Sequence, residues 1–109
     1  MSVENANVID GLGLSKGGSC VEMLISDHLP WRDPNHFSFI EAKVEAYANA
    51  YLSGQLVETL PSAEGKPALI RLVWKYQPDD EATRFLNDVR QQLIGVGIEF
   101  EPCALPDGD

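Results

Sequence analysis

The chain has few basic side chains, and this shortage limits the partners that it can bind. Eight lysine and arginine residues stand against 17 aspartate and glutamate residues, so the 109-residue chain carries a net charge of −9. Nucleic-acid phosphates are bound by clustered positive charge, and the composition therefore predicts no nucleic-acid partner. It favours a basic protein partner, or else a surface that only keeps the protein soluble and monomeric.

Long apolar runs, a leader segment and clustered cysteines are also missing. No run approaches the ~18 apolar residues of a membrane helix, so we expect no membrane association. Residues 1–7 are polar, which predicts no secretory signal and a cytoplasmic protein. Cys20 and Cys103 form no Cys-x-x-Cys pair, and we expect two reduced thiols, with a disulfide between neighbouring strands as the alternative.

A phosphate-binding glycine motif is absent as well. Residues 11–18 are rich in glycine, but they lead into a predicted strand and not into a helix whose amino end could hold a phosphate. The sequence therefore predicts no nucleotide and, more generally, no cofactor.

The densest apolar segment of the chain is residues 68–76, Ala-Leu-Ile-Arg-Leu-Val-Trp-Lys-Tyr. Bulky side chains alternate on both of its faces, which is typical of an interior strand that is covered on at least one side. We therefore predict that this segment is the central strand of a sheet.

Two strands and a helix are predicted before this central strand. Residues 8–14 and 19–27 alternate as a hairpin around a glycine turn. Asp33 followed by Pro34 predicts a helix start, because aspartate can cap the exposed amides and proline suits the first helical position. The helix should end near Ser53. Its apolar residues recur every three or four positions: Phe37, Ile40, Val44, Tyr47, Ala48 and Tyr51.

The connection after this helix is too long to be a bare linker and holds the apolar residues Leu56, Val57 and Leu60, which predict a short extra strand at residues 56–59. A second helix is predicted at residues 80–94 and a last strand at residues 98–101. The apolar face of the second helix comprises Ala82, Phe85, Leu86, Val89 and Leu93.

The resulting order is β-β-α-β-α-β in one domain, residues 1–109, with mobile ends at about 1–6 and 104–109. Strand–helix–strand units cross over right-handedly, which places both helices on one face of a four-stranded mixed sheet. The predicted fold is therefore a two-layer α/β sandwich of the α+β kind.

Reactive side chains are concentrated between the second strand and the first helix. Asp27, His28, Asp33 and His36 could bind a divalent metal or share a proton, since imidazole and carboxylate groups suit both tasks. Their spacing lacks the helical His-x-x-x-His pattern that makes a metal site specific. The plainer interpretation is that Asp27 closes a turn, His28 packs at the sheet end, Asp33 caps the helix and His36 is exposed.

Trp31 and Arg32 lie within the same loop, which two prolines frame. Tryptophan is enriched among the residues that dominate binding energy, although it also covers the ends of cores. We therefore predict no metal site and no catalytic residue. The predicted partner-binding residues are Asp27, His28, Trp31, Arg32 and His36.

Four stretches carry a family resemblance: Val8-Ile9-Asp10, Ile25-Ser26-Asp27-His28-Leu29-Pro30-Trp31, Gly54-Gln55-Leu56 and Ile70-Arg71-Leu72-Val73. In them the chain resembles a small, uncharacterised bacterial domain family over nearly its whole length. The resemblance implies a bacterial cytoplasmic protein and transfers no catalytic residue. In size, acidity and lack of a catalytic motif the chain is also similar to immunity proteins that neutralise bacterial toxins.

These observations predict a non-enzymatic interaction protein, of which an inhibitor that binds a basic toxin is the specific form. The alternative is a small enzyme or metal-binding protein that uses Asp27, His28, Asp33 and His36. Neither the partner nor the oligomeric state follows from the sequence.

Overall fold

The computed structural model describes residues 10–14 and 18–104, which form one four-stranded sheet and its helices. The sheet order is β1-β2-β3-β4, in which β1 is antiparallel to β2 and the other neighbours are parallel. The elements are β1 (Gly11–Leu14), β2 (Val21–Asp27), α1 (His36–Leu52), α2 (Gln55–Thr59), a 3-10 turn (Pro61–Ala63), β3 (Ala68–Trp74), α3 (Asp80–Ile94) and β4 (Ile98–Ala104).

The central position of β3 is confirmed, since it lies between β2 and β4. Met23, Ile70 and Phe100 stand side by side across the three parallel strands and are all buried. The helices cover this face, with Ile40 and Val44 of α1 in the same core. The predicted class, an α+β fold with a mixed four-stranded sheet, is therefore confirmed.

The predicted strand at residues 56–59 is wrong, because the segment forms the short helix α2. Gly54 precedes it with a φ of 84°, a left-handed conformation that glycine adopts without a steric penalty. The chain thus turns directly from α1 into α2, and Leu56 is buried in the core while Val57 is only partly covered. A segment of four residues is too short for its apolar pattern to distinguish one helical turn from a strand.

The first helix begins at His36 and not at Pro34. The carboxylate of Asp33 accepts a hydrogen bond of 2.8 Å from the backbone N–H of Asn35, which lies before the helix. Asp33 therefore closes a turn instead of capping α1, and this correction places the His36 side chain in the first turn. Asp79 does cap α3, because its carboxylate accepts a 2.8 Å hydrogen bond from the Ala82 N–H.

Two aromatic residues that were predicted on the helix faces are only partly buried. Phe37 of α1 and Phe85 of α3 stack on each other, with ring centroids 4.2 Å apart and planes inclined by 5°. They close the gap between the two helices above the core. Their stacking joins the helices directly, and the deepest contacts with the sheet are made by the smaller Ile40 and Leu86.

Several predictions concern the ends of the chain. Residues 8 and 9 of the predicted first strand, the glycine turn at 15–17 and the ends 1–6 and 105–109 lie outside the described residues. Ala104 is described and is the last residue of β4. No helix of the described ranges is both long and apolar enough to cross a membrane.

The two cysteines lie at opposite ends of the parallel strands. Cys20 precedes Val21, which pairs with Ala68, whereas Cys103 pairs with Val73, five residues further along β3. Cys20 lies one residue further out than Val21, so at about 3.3 Å per residue the two cysteines are roughly 20 Å apart along the strands, too far for a disulfide between them. Burial raises the pKa of the Cys103 thiol.

Candidate functional site

The loop between β2 and α1 joins two ionisable side chains at the carboxyl end of the sheet. Asp27 is the last residue of β2 and His36 the first of α1. The His36 Nε2 atom lies 2.7 Å from each carboxylate oxygen of Asp27. Both residues are buried, with exposed fractions of 3 % and 0 %. The loop therefore starts and ends at a buried Asp–His pair.

The hydrogen-bond partners of His36 define what this pair can do. Its Nδ1 atom lies 3.1 Å from the Pro30 carbonyl oxygen, which can only accept, so Nδ1 carries a proton and donates it. A second proton lies between Nε2 and the carboxylate, whichever of the two groups holds it. Both ring nitrogens are thus occupied. In this arrangement His36 has no lone pair left for a metal ion or a substrate proton.

Trp31 covers the pair from the loop. Its ring stacks on His36 with centroids 4.1 Å apart, and its indole N–H donates a 2.6 Å hydrogen bond to the Tyr76 carbonyl oxygen. This bond ties the β2–α1 loop to the β3–α3 loop. A cavity of about 500 Å³ lies beside Trp31, and its lining includes Arg32, Tyr76 and Asp79.

The other predicted site residues are not brought together. His28 and Arg32 are exposed, and Asp33 closes the turn before α1. Of the four residues proposed for a metal or proton site, only Asp27 and His36 meet. Within residues 10–14 and 18–104, no group of three or more histidine, cysteine, aspartate or glutamate residues is arranged to hold a metal ion.

We predict that the purified protein contains no stoichiometric zinc, nickel or manganese, because both ring nitrogens of His36 are engaged and residues 10–14 and 18–104 hold no group of three suitable ligands. Elemental analysis of protein purified without chelator measures this directly. One equivalent of metal that is lost in a His28→Ala, His36→Ala variant would contradict the prediction. Metal that persists in this variant would come from another part of the chain.

A second buried charge pair was missed by the sequence analysis. The Lys43 Nζ atom lies 2.8 Å from Asp10 Oδ1, and the two side chains are 0 % and 2 % exposed. The other carboxylate oxygen of Asp10 accepts a 2.8 Å hydrogen bond from the Ser26 N–H. The pair therefore joins α1 to the residue before β1 and to the end of β2.

Tyr47 completes this network one helical turn after Lys43. Its hydroxyl donates to the Leu24 carbonyl at 2.7 Å and accepts from the Asp10 N–H at 2.9 Å. Burial raises the pKa of Tyr47, so the hydroxyl stays protonated and can donate. A sequence signal for this network exists, since Lys43 falls between Ile40, Val44 and Tyr47 on the apolar face of α1.

The exposed charged residues of the segment 36–65, which runs from α1 to just after the 3-10 turn, are all negative. Its exposed ionisable residues, here called the acidic helical surface, are Glu41, Glu45, Glu58 and Glu64. Lys43 is the sole lysine or arginine of residues 36–65, and its charge is buried against Asp10. No exposed cation of this segment therefore balances the four carboxylates.

The chain was compared with protein families, curated proteins and solved structures. The model of a family of unknown function, DUF6572, matches residues 1–105. No curated protein and no solved structure matches the chain. The resemblance to an uncharacterised domain family is therefore confirmed.

Proposed function

The chain belongs to this family of unknown function, and we propose that it is a non-enzymatic protein that binds a basic protein partner. The observation that carries the proposal is the acidic helical surface, on which Glu41, Glu45, Glu58 and Glu64 are exposed without a neighbouring cation of the same segment. Complementary charge speeds the encounter of two proteins and disfavours partners of the wrong charge. An inhibitor of a basic toxin, of the immunity-protein type, is the specific form that we propose.

The Trp31 loop supplies the second part of the proposed interface. Trp31 is partly buried, Arg32 and His28 are exposed, and the cavity that Trp31 and Arg32 line is large enough for a partner side chain. The buried Asp27 and His36 support this loop from below, so their part in binding is to hold Trp31 in place. Trp31 also lies next to the amino end of α1, which carries Glu41 one turn further on.

The alternative, an enzyme or metal-binding protein, has less support. It needs the side chains of Asp27, His28, Asp33 and His36 to act together. However, His36 is hydrogen-bonded to Asp27, and the Asp33 carboxylate accepts a hydrogen bond from the Asn35 N–H. His28 remains the exposed member of the set. An activity that depends on His28 would favour this alternative.

We predict that the native host contains a basic protein that binds the chain, and that its association slows as salt rises. Screening shortens the range of the field to ~8 Å near physiological ionic strength. A Glu41→Gln, Glu45→Gln variant should reduce the association rate about threefold, because each substitution removes one charge that faces the partner. Trp31→Ala should raise the dissociation rate at least about tenfold, as expected of a desolvated anchor. Surface plasmon resonance measures both rates.

The matched control is Glu81→Gln, Asp88→Asn, which makes the same change of net charge on α3, outside the acidic helical surface. It should alter the association rate less than the α1 variant does. Equal effects of the two variants would show that net charge alone acts and would contradict a specific acidic surface. Recovery of no partner, together with turnover of a small molecule that His28→Ala abolishes, would replace the proposal with the enzyme.

A further inference from the structure

A groove runs between α3 and the strand β4, which forms the edge of the sheet opposite to β1. It encloses about 540 Å³, a volume typical of ligand sites, and its walls are mostly apolar. Ile94 of α3 is 54 % exposed at its rim, and the nearby Val96 is 48 % exposed. Ile98 and Phe100 form the floor.

The hydrogen bonds of the sheet determine which backbone groups of β4 face this groove. Val21 donates to the Pro67 carbonyl and Lys75 to the Asp27 carbonyl, so the odd-numbered residues of β3 bond to β2. Alternate residues of a strand bond to opposite neighbours, and the even-numbered residues of β3 therefore bond to β4. Ala68 pairs with Ile98, and in a parallel ladder a residue bonds to the two residues that flank its partner. Ala68 therefore bonds to residues 97 and 99, and the odd-numbered residues of β4 are the ones that bond to β3.

The N–H and C=O groups of Ile98 and Phe100 consequently point out of the sheet. Arg90 confirms this direction, since its Nε donates a 3.3 Å hydrogen bond to the Phe100 carbonyl. Pro102 is the third outward residue and has no N–H, which limits strand addition to the first half of β4. Ile98 offers both of its groups, and neither has a hydrogen-bond partner outside the sheet among the described residues.

The lining of the groove includes one cation, Arg90, and one carboxylate residue, Glu99. No carboxylate of residues 10–14 and 18–104 lies within ion-pair distance of Arg90, although the protein has a net charge of −9. Its Nε–H group donates to the Phe100 carbonyl oxygen. The N–H groups of its two terminal nitrogens form a forked pair of donors that can bind a ligand. Such a fork matches the two oxygens of a carboxylate.

We propose that this groove binds the carboxyl-terminal tail of a partner protein as an added strand. The terminal carboxylate pairs with Arg90, the tail backbone bonds to Ile98, and the last side chain, an aliphatic one, enters the groove against Ile94 and Phe100. The side chain before it points to the other sheet face, as strand geometry requires. Both Glu99 and Glu101 are exposed there, and Glu101 forms a 3.6 Å ion pair with Arg71, so Glu99 is the carboxylate that favours lysine or arginine at this position.

A second copy of this chain fits the edge less well. Antiparallel pairing of two β4 strands about Phe100 would place Glu99 of each copy opposite Glu101 of the other, and like charges in this position repel. It would also set Ile98 against Pro102, which cannot donate a hydrogen bond. The charge pattern therefore favours a basic tail over self-association.

The proposal is tested with acetylated tetrapeptides that end in Lys-Val, Lys-Leu, Lys-Ile or Lys-Phe, each added up to ~2 mM to the ¹⁵N-labelled protein. At least one free acid should shift the Ile98 and Phe100 amide signals and slow hydrogen exchange at Ile98. Its C-terminal amide should bind about tenfold more weakly, because the charge-assisted contact with Arg90 is lost. Replacing its penultimate lysine with glutamate should weaken binding by a similar factor.

Two variants separate the role of Arg90 from that of a general positive charge. Arg90→Gln should lose the preference for the free acid over the amide, whereas Arg84→Gln, which removes the same charge from an exposed position of α3, should keep it. A thermal melt and an unchanged spectrum away from β4 establish that each variant is folded. No shift at Ile98 with any peptide, equal affinity for acid and amide, or a concentration-dependent dimer through β4 would each overturn the proposal.

Discussion

Replacing Lys43 with methionine is expected to lower the free energy of unfolding by about 3–5 kcal/mol. The substitution preserves much of the side-chain volume but removes the cation that pairs with Asp10. The carboxylate of Asp10, which is 2 % exposed, would then be buried without a counter-charge. An uncompensated charge in this position is far more costly than the loss of one surface ion pair. Urea unfolding followed by circular dichroism measures the change, which is a large part of the stability of a typical small domain.

The matched control combines Lys43→Met with Asp10→Asn. The neutral amide removes the stranded charge and can still accept the hydrogen bond from the Ser26 N–H. We expect this double variant to be more stable than Lys43→Met alone, even though it carries one substitution more. A loss below about 1 kcal/mol for Lys43→Met would mean that the pair is not desolvated in solution, contrary to the structure.

Replacing Asp27 with alanine is expected to cost a similar amount, about 3–5 kcal/mol, because it removes the only carboxylate that His36 Nε2 contacts. It should also release Trp31, whose ring rests on His36. In a Trp74→Phe background the fluorescence reports Trp31 alone, and its emission should shift to longer wavelength as the indole becomes hydrated. Urea unfolding of the same protein gives the stability.

Asp27→Asn and Arg32→Ala are the controls for this prediction. The asparagine keeps one acceptor for His36, so a smaller loss and a smaller emission shift are expected. Arg32 is exposed in the same loop, and its removal should change stability by no more than about 0.5 kcal/mol. An Asp27→Ala variant with wild-type emission would show that Trp31 is held mainly by its bond to the Tyr76 carbonyl.

The elements that sequence reasoning found are those with strong local signals. The apolar run of β3 and the three- and four-residue spacing of α1 and α3 are signals carried by residues that lie close together in the chain. Right-handed crossover then limits how such units can be joined, and this rule led to the two-layer arrangement. The short helix α2 was missed because one helical turn has no such periodic signal.

The candidate site was predicted only in its location. The loop between β2 and α1 was singled out for its residue types, but His36 was expected to be exposed and Asp33 to cap the helix. His36 precedes Ile40 by four residues and therefore lies on the buried face of α1, where its side chain contacts Asp27. The apolar pattern was counted from Phe37, and a histidine at the end of the buried face was not recognised as part of it.

The sequence by itself determined the acidic balance, the central strand and the two long helices of this protein. Only the tertiary structure decided which charges remain exposed. Lys43 forms an ion pair with Asp10, from which it is 33 residues distant in the chain. Arg90 bonds to the Phe100 carbonyl because the backbone groups of the even-numbered residues of β4 point away from β3. Such contacts depend on register and on helix rotation, which are set by the packing of the whole core and not by any local stretch.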